Sequence, residues 1–89
     1  MNSETKTQQA EECALLRGFY ERTKKQALNL TRTLQDELQD IIAAMEQDEP
    51  ERLPALCDRV ERLSTRLRKR AITVSRHYGN LCYRKGGAV

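Results

Sequence analysis

The 89-residue chain has no tryptophan, one phenylalanine and three tyrosines, so it lacks the bulky aromatics that usually fill a globular core. Proline occurs twice and glycine four times, which leaves room for the long helices that the composition suits. No apolar run approaches the length needed to cross a bilayer, and the opening MNSETKTQQAEE lacks a signal peptide's basic and apolar regions. A soluble cytoplasmic protein with no membrane partner is expected. The three cysteines, Cys13, Cys57 and Cys82, form no C-x-x-C pair, and their odd number argues against a secreted disulfide scaffold. They read as reduced thiols used as small apolar residues, with Cys57 the best fit to a buried position.

Charge is abundant at 33% of residues, and its balance changes along the chain. Residues 1–49 hold ten acidic and six basic side chains, whereas residues 50–89 hold three acidic and ten basic. Opposite net charge favours folding the second half back on the first. The length allows one domain, residues 1–89, with tails at 1–7 and 84–89 expected to be flexible.

Residues 8–48 contain good helix formers and no proline, so they read as a helix whose one weak point is Gly18. Ala27, Thr31, Leu34, Leu38, Ile41 and Met45 follow a four-three alternation, a heptad seam that extends back to Tyr20 and Cys13. Asp48-Glu49-Pro50-Glu51 ends this helix, because the residue before a proline is pushed out of the helical region. A second helix over residues 51–79 tolerates Pro54 within its first turn. It carries Leu53, Cys57, Val60, Ser64, Leu67, Ala71, Val74, Tyr78 and Leu81 at the same spacing. Gly79-Asn80 marks its expected end.

Two seams joined by a short turn imply an all-α antiparallel helical hairpin. Gly18 falls where the second helix is expected to run out, so residues 8–17 form either an overhang or a separate short helix hinged at Gly18. Leu28, Leu30, Ile42, Leu56, Leu63 and Ile72 lie beside the main seam and widen the apolar stripe beyond what one sister helix can cover. Completion of a four-helix bundle, by homodimerisation or by a heteromeric helical partner, is the expected closure. The interaction seam then comprises Ala27, Leu34, Leu38, Ile41, Met45, Leu53, Cys57, Val60, Leu67 and Val74.

No catalytic arrangement stands out. The single histidine, His77, has no nucleophile motif around it. Cys13, His77 and Cys82 would share the end of the hairpin away from the turn, but they supply only three candidate ligands for a metal. No cofactor, metal or small-molecule substrate is expected. The strong electrostatic feature is the series Arg62, Arg66, Arg68, Lys69, Arg70, Arg76, Arg84 and Lys85, which reads either as a solvated face paired with the acidic first helix or as a phosphate-contacting surface.

Thr23-Lys24-Lys25, Ala27-Leu28-Asn29-Leu30-x-Arg32-x-Leu34, the turn at Glu49-Pro50 and Leu56-Cys57 resemble the Rop (Rom) family of RNA-binding, plasmid copy-number regulators. The residues align without a gap from Ala27 through Leu67. The resemblance implies a dimeric four-helix bundle gripping RNA through the first helix, with Asn29 and Arg32 at matching positions and Lys25 close by. Thr33 stands where that family has an aromatic residue, Glu37 where it has a glutamine and Ala44 where it has a lysine, so the fold carries over better than the RNA contact. The nucleic-acid candidates are Lys25, Asn29, Arg32, Arg66, Arg68, Lys69, Arg70 and Arg76. A second pattern, Asp48-x-Pro50-Glu51-x-Leu53-x-x-Leu56 followed by Leu63 and Leu67, is similar to export chaperones of flagellar and type III secretion systems. That likeness implies a hairpin groove that holds a client helix.

Overall fold

A computed structural model describes the backbone of residues 2–85 and the side chains of residues 8–83. Helix α1 spans Asn2–Glu46, a one-turn 3₁₀ helix spans Pro50–Arg52, and helix α2 spans Leu53–Lys85. The two long helices pack antiparallel along a rod whose principal extents are 71 × 17 × 15 Å. The chain is therefore an all-α helical hairpin. No helix among the described residues is long and apolar enough to cross a membrane.

Helix α1 begins at Asn2, well before the expected residue 8, so most of the segment read as an N-terminal tail is helical. It also runs through Gly18 without interruption, which removes the hinge and the separate short helix. A Cβ added to Gly18 would meet no atom within 4 Å, so neither packing nor backbone conformation requires glycine there. Among the residues whose side chains are described, five threonines sit within the helices despite their modest helix propensity. Each donates its hydroxyl to the carbonyl one turn earlier, Thr23 to Phe19, Thr31 to Ala27, Thr33 to Asn29, Thr65 to Glu61 and Thr73 to Lys69.

The turn is stopped by a Schellman arrangement. Asp48 adopts a left-handed conformation at φ 55°. Its amide donates to the Met45 carbonyl at 3.2 Å, and the Glu49 amide donates to the Ala44 carbonyl at 2.8 Å. Pro50 then sets the helical φ that opens the 3₁₀ turn, and Arg52 pairs with Glu49 at 3.1 Å across it. Pro54 lies in the first turn of α2, where its missing N–H is harmless.

Helix α2 continues through Gly79-Asn80 to Lys85, six residues past the expected end. Arg84 and Lys85 thus belong to a helix, while residues 86–89 of the expected C-terminal tail lie outside the described residues. Because Phe19 faces His77 and Tyr20 faces Tyr78, the end of α2 stands beside residues 12–13 rather than beside Gly18. About ten residues of α1 project beyond it, or roughly 15 Å of helix.

The helices meet in the other phase of the heptad. On α1 the half-buried and buried positions are Cys13, Leu16, Tyr20, Thr23, Ala27, Leu30, Leu34, Glu37, Ile41 and Ala44, with Lys24, Thr31 and Ala43 beside them. On α2 they are Leu53, Leu56, Val60, Leu63, Leu67, Thr73, Val74, His77 and Leu81. Ala27, Leu34, Ile41, Leu53, Val60, Leu67 and Val74 are half-buried on the facing sides of the two helices. Leu38, Met45 and Cys57 are not; they are exposed, and Leu30, Glu37, Ala44, Leu56 and Leu63 take the alternate places. In an antiparallel pair the matching flanks of both helices come together, so both must use the same phase. On α2 one phase offers Leu56 and Leu63, the other Cys57 and Ser64. The leucines decide it, drawing Glu37 into the contact and leaving Leu38 and Met45 outside.

The core that results is thin. Among the described residues only Ala44, Leu56 and Leu81 of the apolar side chains, with Thr23, are buried. The chain keeps 7076 Å² of accessible surface, against about 5,400 Å² for a globular protein of its mass.

Candidate interaction surfaces

The phase choice gives the hairpin two unlike sides. One side follows the flank on which α1 presents Gln26, Asn29, Thr33 and Glu37 and α2 presents Arg59, Arg62, Arg66, Lys69, Arg70 and Thr73. These residues line two adjoining shallow grooves, one walled by Gln26, Asn29, Leu30, Arg66, Lys69, Arg70 and Thr73, the other by Thr33, Glu37, Arg59, Arg62, Leu63 and Arg66. The basic side chains are exposed, and within the two grooves Glu37 is the sole acidic lining residue.

Of the nucleic-acid candidates, Asn29, Arg66, Lys69 and Arg70 meet in the first of these grooves. Arg76 is exposed two helical turns beyond Lys69 on the same side. Lys25 and Arg32 are exposed on the back of α1, and Arg68 is exposed on the opposite flank of α2, so these three do not join the cluster. Arg62 and Arg59 do join it.

Glu37 is the anomaly at this boundary. Its side chain is 18% exposed, and Oε2 is buried without a hydrogen-bond donor. The nearest cation, the Arg59 guanidinium, stands 3.9 Å away and is itself largely exposed. An acid held among Leu34, Ile41 and Leu63 by the helix register, with a distant and solvated counter-ion, opposes the packing around it.

The other side carries the strip left over by the phase choice. Leu28, Leu38, Ile42 and Met45 on α1 are 46%, 45%, 47% and 58% exposed, and with Thr31 and Gln35 they repeat the three-four spacing of a second seam. The adjoining flank of α2 presents Cys57, Ser64 and Ala71, all small and exposed, with Arg68 between the last two, and then Tyr78. Large residues thus line one helix and small residues its neighbour. Cys57, expected to be buried, is an exposed member of this surface.

At the open end the aromatics gather. Phe19 stacks on His77 with centroids 5.9 Å apart, Tyr20 meets Tyr78 at 5.5 Å, and the Lys24 ammonium lies 5.1 Å from the Tyr20 ring centre. A hydrogen bond to Cys82 raises the Tyr78 phenol above its ordinary value, and the charges of Cys82 and Tyr20 push the same way. This cluster accounts for His77, whose ring packs rather than standing in a cleft. Cys13, Cys57 and Cys82 are free thiols, and no group of three or more His, Cys, Asp or Glu among the described residues is arranged to hold a metal ion.

The leucine strip could have been found from sequence by comparing the two phases on α2 before choosing one on α1. Comparison with protein-family models, curated proteins and solved structures finds no match to the chain.

Proposed function

We propose that the protein is a non-enzymatic helix-docking module whose working surface is the strip of Leu28, Leu38, Ile42 and Met45 beside the small residues of α2. The observation that carries this reading is the placement of four large aliphatic side chains, each nearly half exposed or more, along one side of the rod. They repeat at the spacing another helix would match, the mode by which amphipathic helices dock into apolar grooves. The likeness to Rop-type bundles and to export chaperones points the same way. Three free thiols are the support for a cytoplasmic setting. The test is the double substitution Leu38→Asp with Met45→Asp. Both positions are exposed in the hairpin, so helicity measured by circular dichroism should persist while association measured by sedimentation is lost. Unchanged association would remove the reading.

The opposite side supports a second, separate reading, contact with a nucleic-acid backbone. Its basis is the convergence of Arg59, Arg62, Arg66, Lys69 and Arg70 with Asn29 along one flank. Binding to structured RNA would weaken steeply between low and moderate salt, and Arg66→Ala with Arg70→Ala would flatten that slope by about two counterions. Salt-independent binding, or none at low ionic strength, would dismiss it.

A further inference from the structure

We infer that the occupant of the leucine strip is a second copy of this chain, seated so that α1 of each hairpin lies against α2 of the other and both turns lie at the same end of a four-helix bundle. The inference rests on the helix-docking reading above and adds the identity and orientation of the partner.

Area is the first argument. The chain exposes about 1,700 Å² more surface than a globular protein of its mass, part of it on the unpaired start of α1, and a stable interface takes about 800 Å² from each partner. One further hairpin, burying one long side of the rod, is of the right size. A radius of gyration of 20.0 Å, against about 12 Å for a compact chain of this length, states the same deficit in shape.

Side-chain size is the second. Two hairpins stacked face to face have two ways to bring their helices together. If α1 met α1 and α2 met α2, the four large aliphatics would crowd one another at one seam, while Cys57, Ser64 and Ala71 would face their own copies across the other. If α1 meets α2, Leu38 and Ile42 lie beside Cys57 and Leu28 beside Ala71, while Met45 falls level with the turn. The spacing agrees. Within one hairpin Glu37 stands beside Arg59 and Tyr20 beside Tyr78, so with turns at the same end the partner's α2 follows the same register. Leu38 then lies level with the interval between the partner's Cys57 and Ser64, and Thr31 level with that between Ser64 and Ala71, an alternation of knobs and gaps.

Charge is the third. The stretch 1–49 holds ten acids and six bases, and the stretch 50–89 three acids and ten bases. Like helices side by side would repel, while unlike helices attract. In this arrangement every helix is flanked by the opposite kind, and the basic groove of each hairpin remains on the outside.

The test uses the full chain with Cys13→Ser, Cys57→Ala and Cys82→Ser, taken forward only if its sedimentation matches that of the unaltered chain because Cys57 lies on the strip, and a nitroxide spin label on Gln47→Cys, an exposed residue at the turn. With turns at one end, and helix axes about 10 Å apart, the two labels fall within about 25 Å of each other by dipolar EPR. Were the copies reversed end for end about the middle of the strip, the labels would stand about 35 Å apart or more, at about 1.5 Å per residue. A dimer in sedimentation with the short distance, dissociating at least tenfold more readily with Ser64→Trp, supports the inference. A dimer with the long distance overturns the orientation, and a monomer at high micromolar concentration overturns the second copy while leaving a foreign helix as occupant. A dimer indifferent to Leu38→Asp overturns both this inference and the helix-docking reading.

Discussion

Glu37 and Asp48 are the two residues whose surroundings least suit them. Glu37 occupies a contact position because the phase that suits α2 leaves no alternative, and its Oε2 is buried with no donor. Leucine at that position would remove an unsatisfied oxygen and extend the contact with Leu63. Glu37→Leu should raise the unfolding free energy by about 1–3 kcal/mol in urea titrations, whereas Arg59→Ala, which removes only a distant solvated cation, should change it by less than about 0.5 kcal/mol. A destabilised Glu37→Leu protein would show that the acid has a partner. Asp48 holds a positive φ that favours glycine, and the two amide bonds of the Schellman turn depend on it. Asp48→Gly should stabilise the hairpin by about 1 kcal/mol and Asp48→Val should weaken it by a similar amount, read from the thermal midpoint. Of these two, the helix stop at Asp48 is legible in the sequence because proline follows two residues later. The burial of Glu37 is not, since it depends on which leucines the other helix brings.

At the scale of the helices, continuity is the main departure from the sequence reading. Gly18 and Gly79-Asn80 look like breaks because glycine is a weak helix former, yet α1 and α2 run through both. The penalty of one glycine, about 1 kcal/mol, is smaller than what a long helix gains by staying packed against its neighbour. Cys13, Leu16 and Tyr20 on α1, and His77 and Leu81 on α2, supply that packing around the two glycines. Neither glycine has a neighbour within 4 Å of where a Cβ would stand. Gly18→Ala and Gly79→Ala should therefore each raise stability by about 0.5–1 kcal/mol, additively, and increase helicity. A loss of stability at Gly18→Ala would restore the hinge. The seam positions shared by both phases, Ala27, Leu34, Ile41, Leu53, Val60, Leu67 and Val74, were readable from spacing alone. The positions that differ were not, because α1 taken by itself favours Thr31, Leu38 and Met45 over Leu30, Glu37 and Ala44.

For the whole molecule, the consequence is a rod with a thin core and two unlike sides, one aliphatic and one basic. With so few buried side chains among the described residues, the hairpin would gain stability from any partner that covered the aliphatic side. If that cover is a second copy, the thermal midpoint should rise with protein concentration over a hundredfold range, and the dependence should vanish in Leu38→Asp. A midpoint independent of concentration, with high intrinsic stability, would mark a self-sufficient hairpin. The helical class, the position of the turn and the antiparallel pairing follow from local chemistry: helix formers in long runs, one Asp-Glu-Pro stop, and halves of opposite charge. These are written in the composition and order of residues along the chain, so the sequence by itself determined them. Which face of each helix turns inward was decided only by the tertiary structure, since an antiparallel pair must satisfy both helices with a single phase. Leu56 and Leu63 outweighed Leu38 and Met45, and that choice sets which surface remains open to a partner.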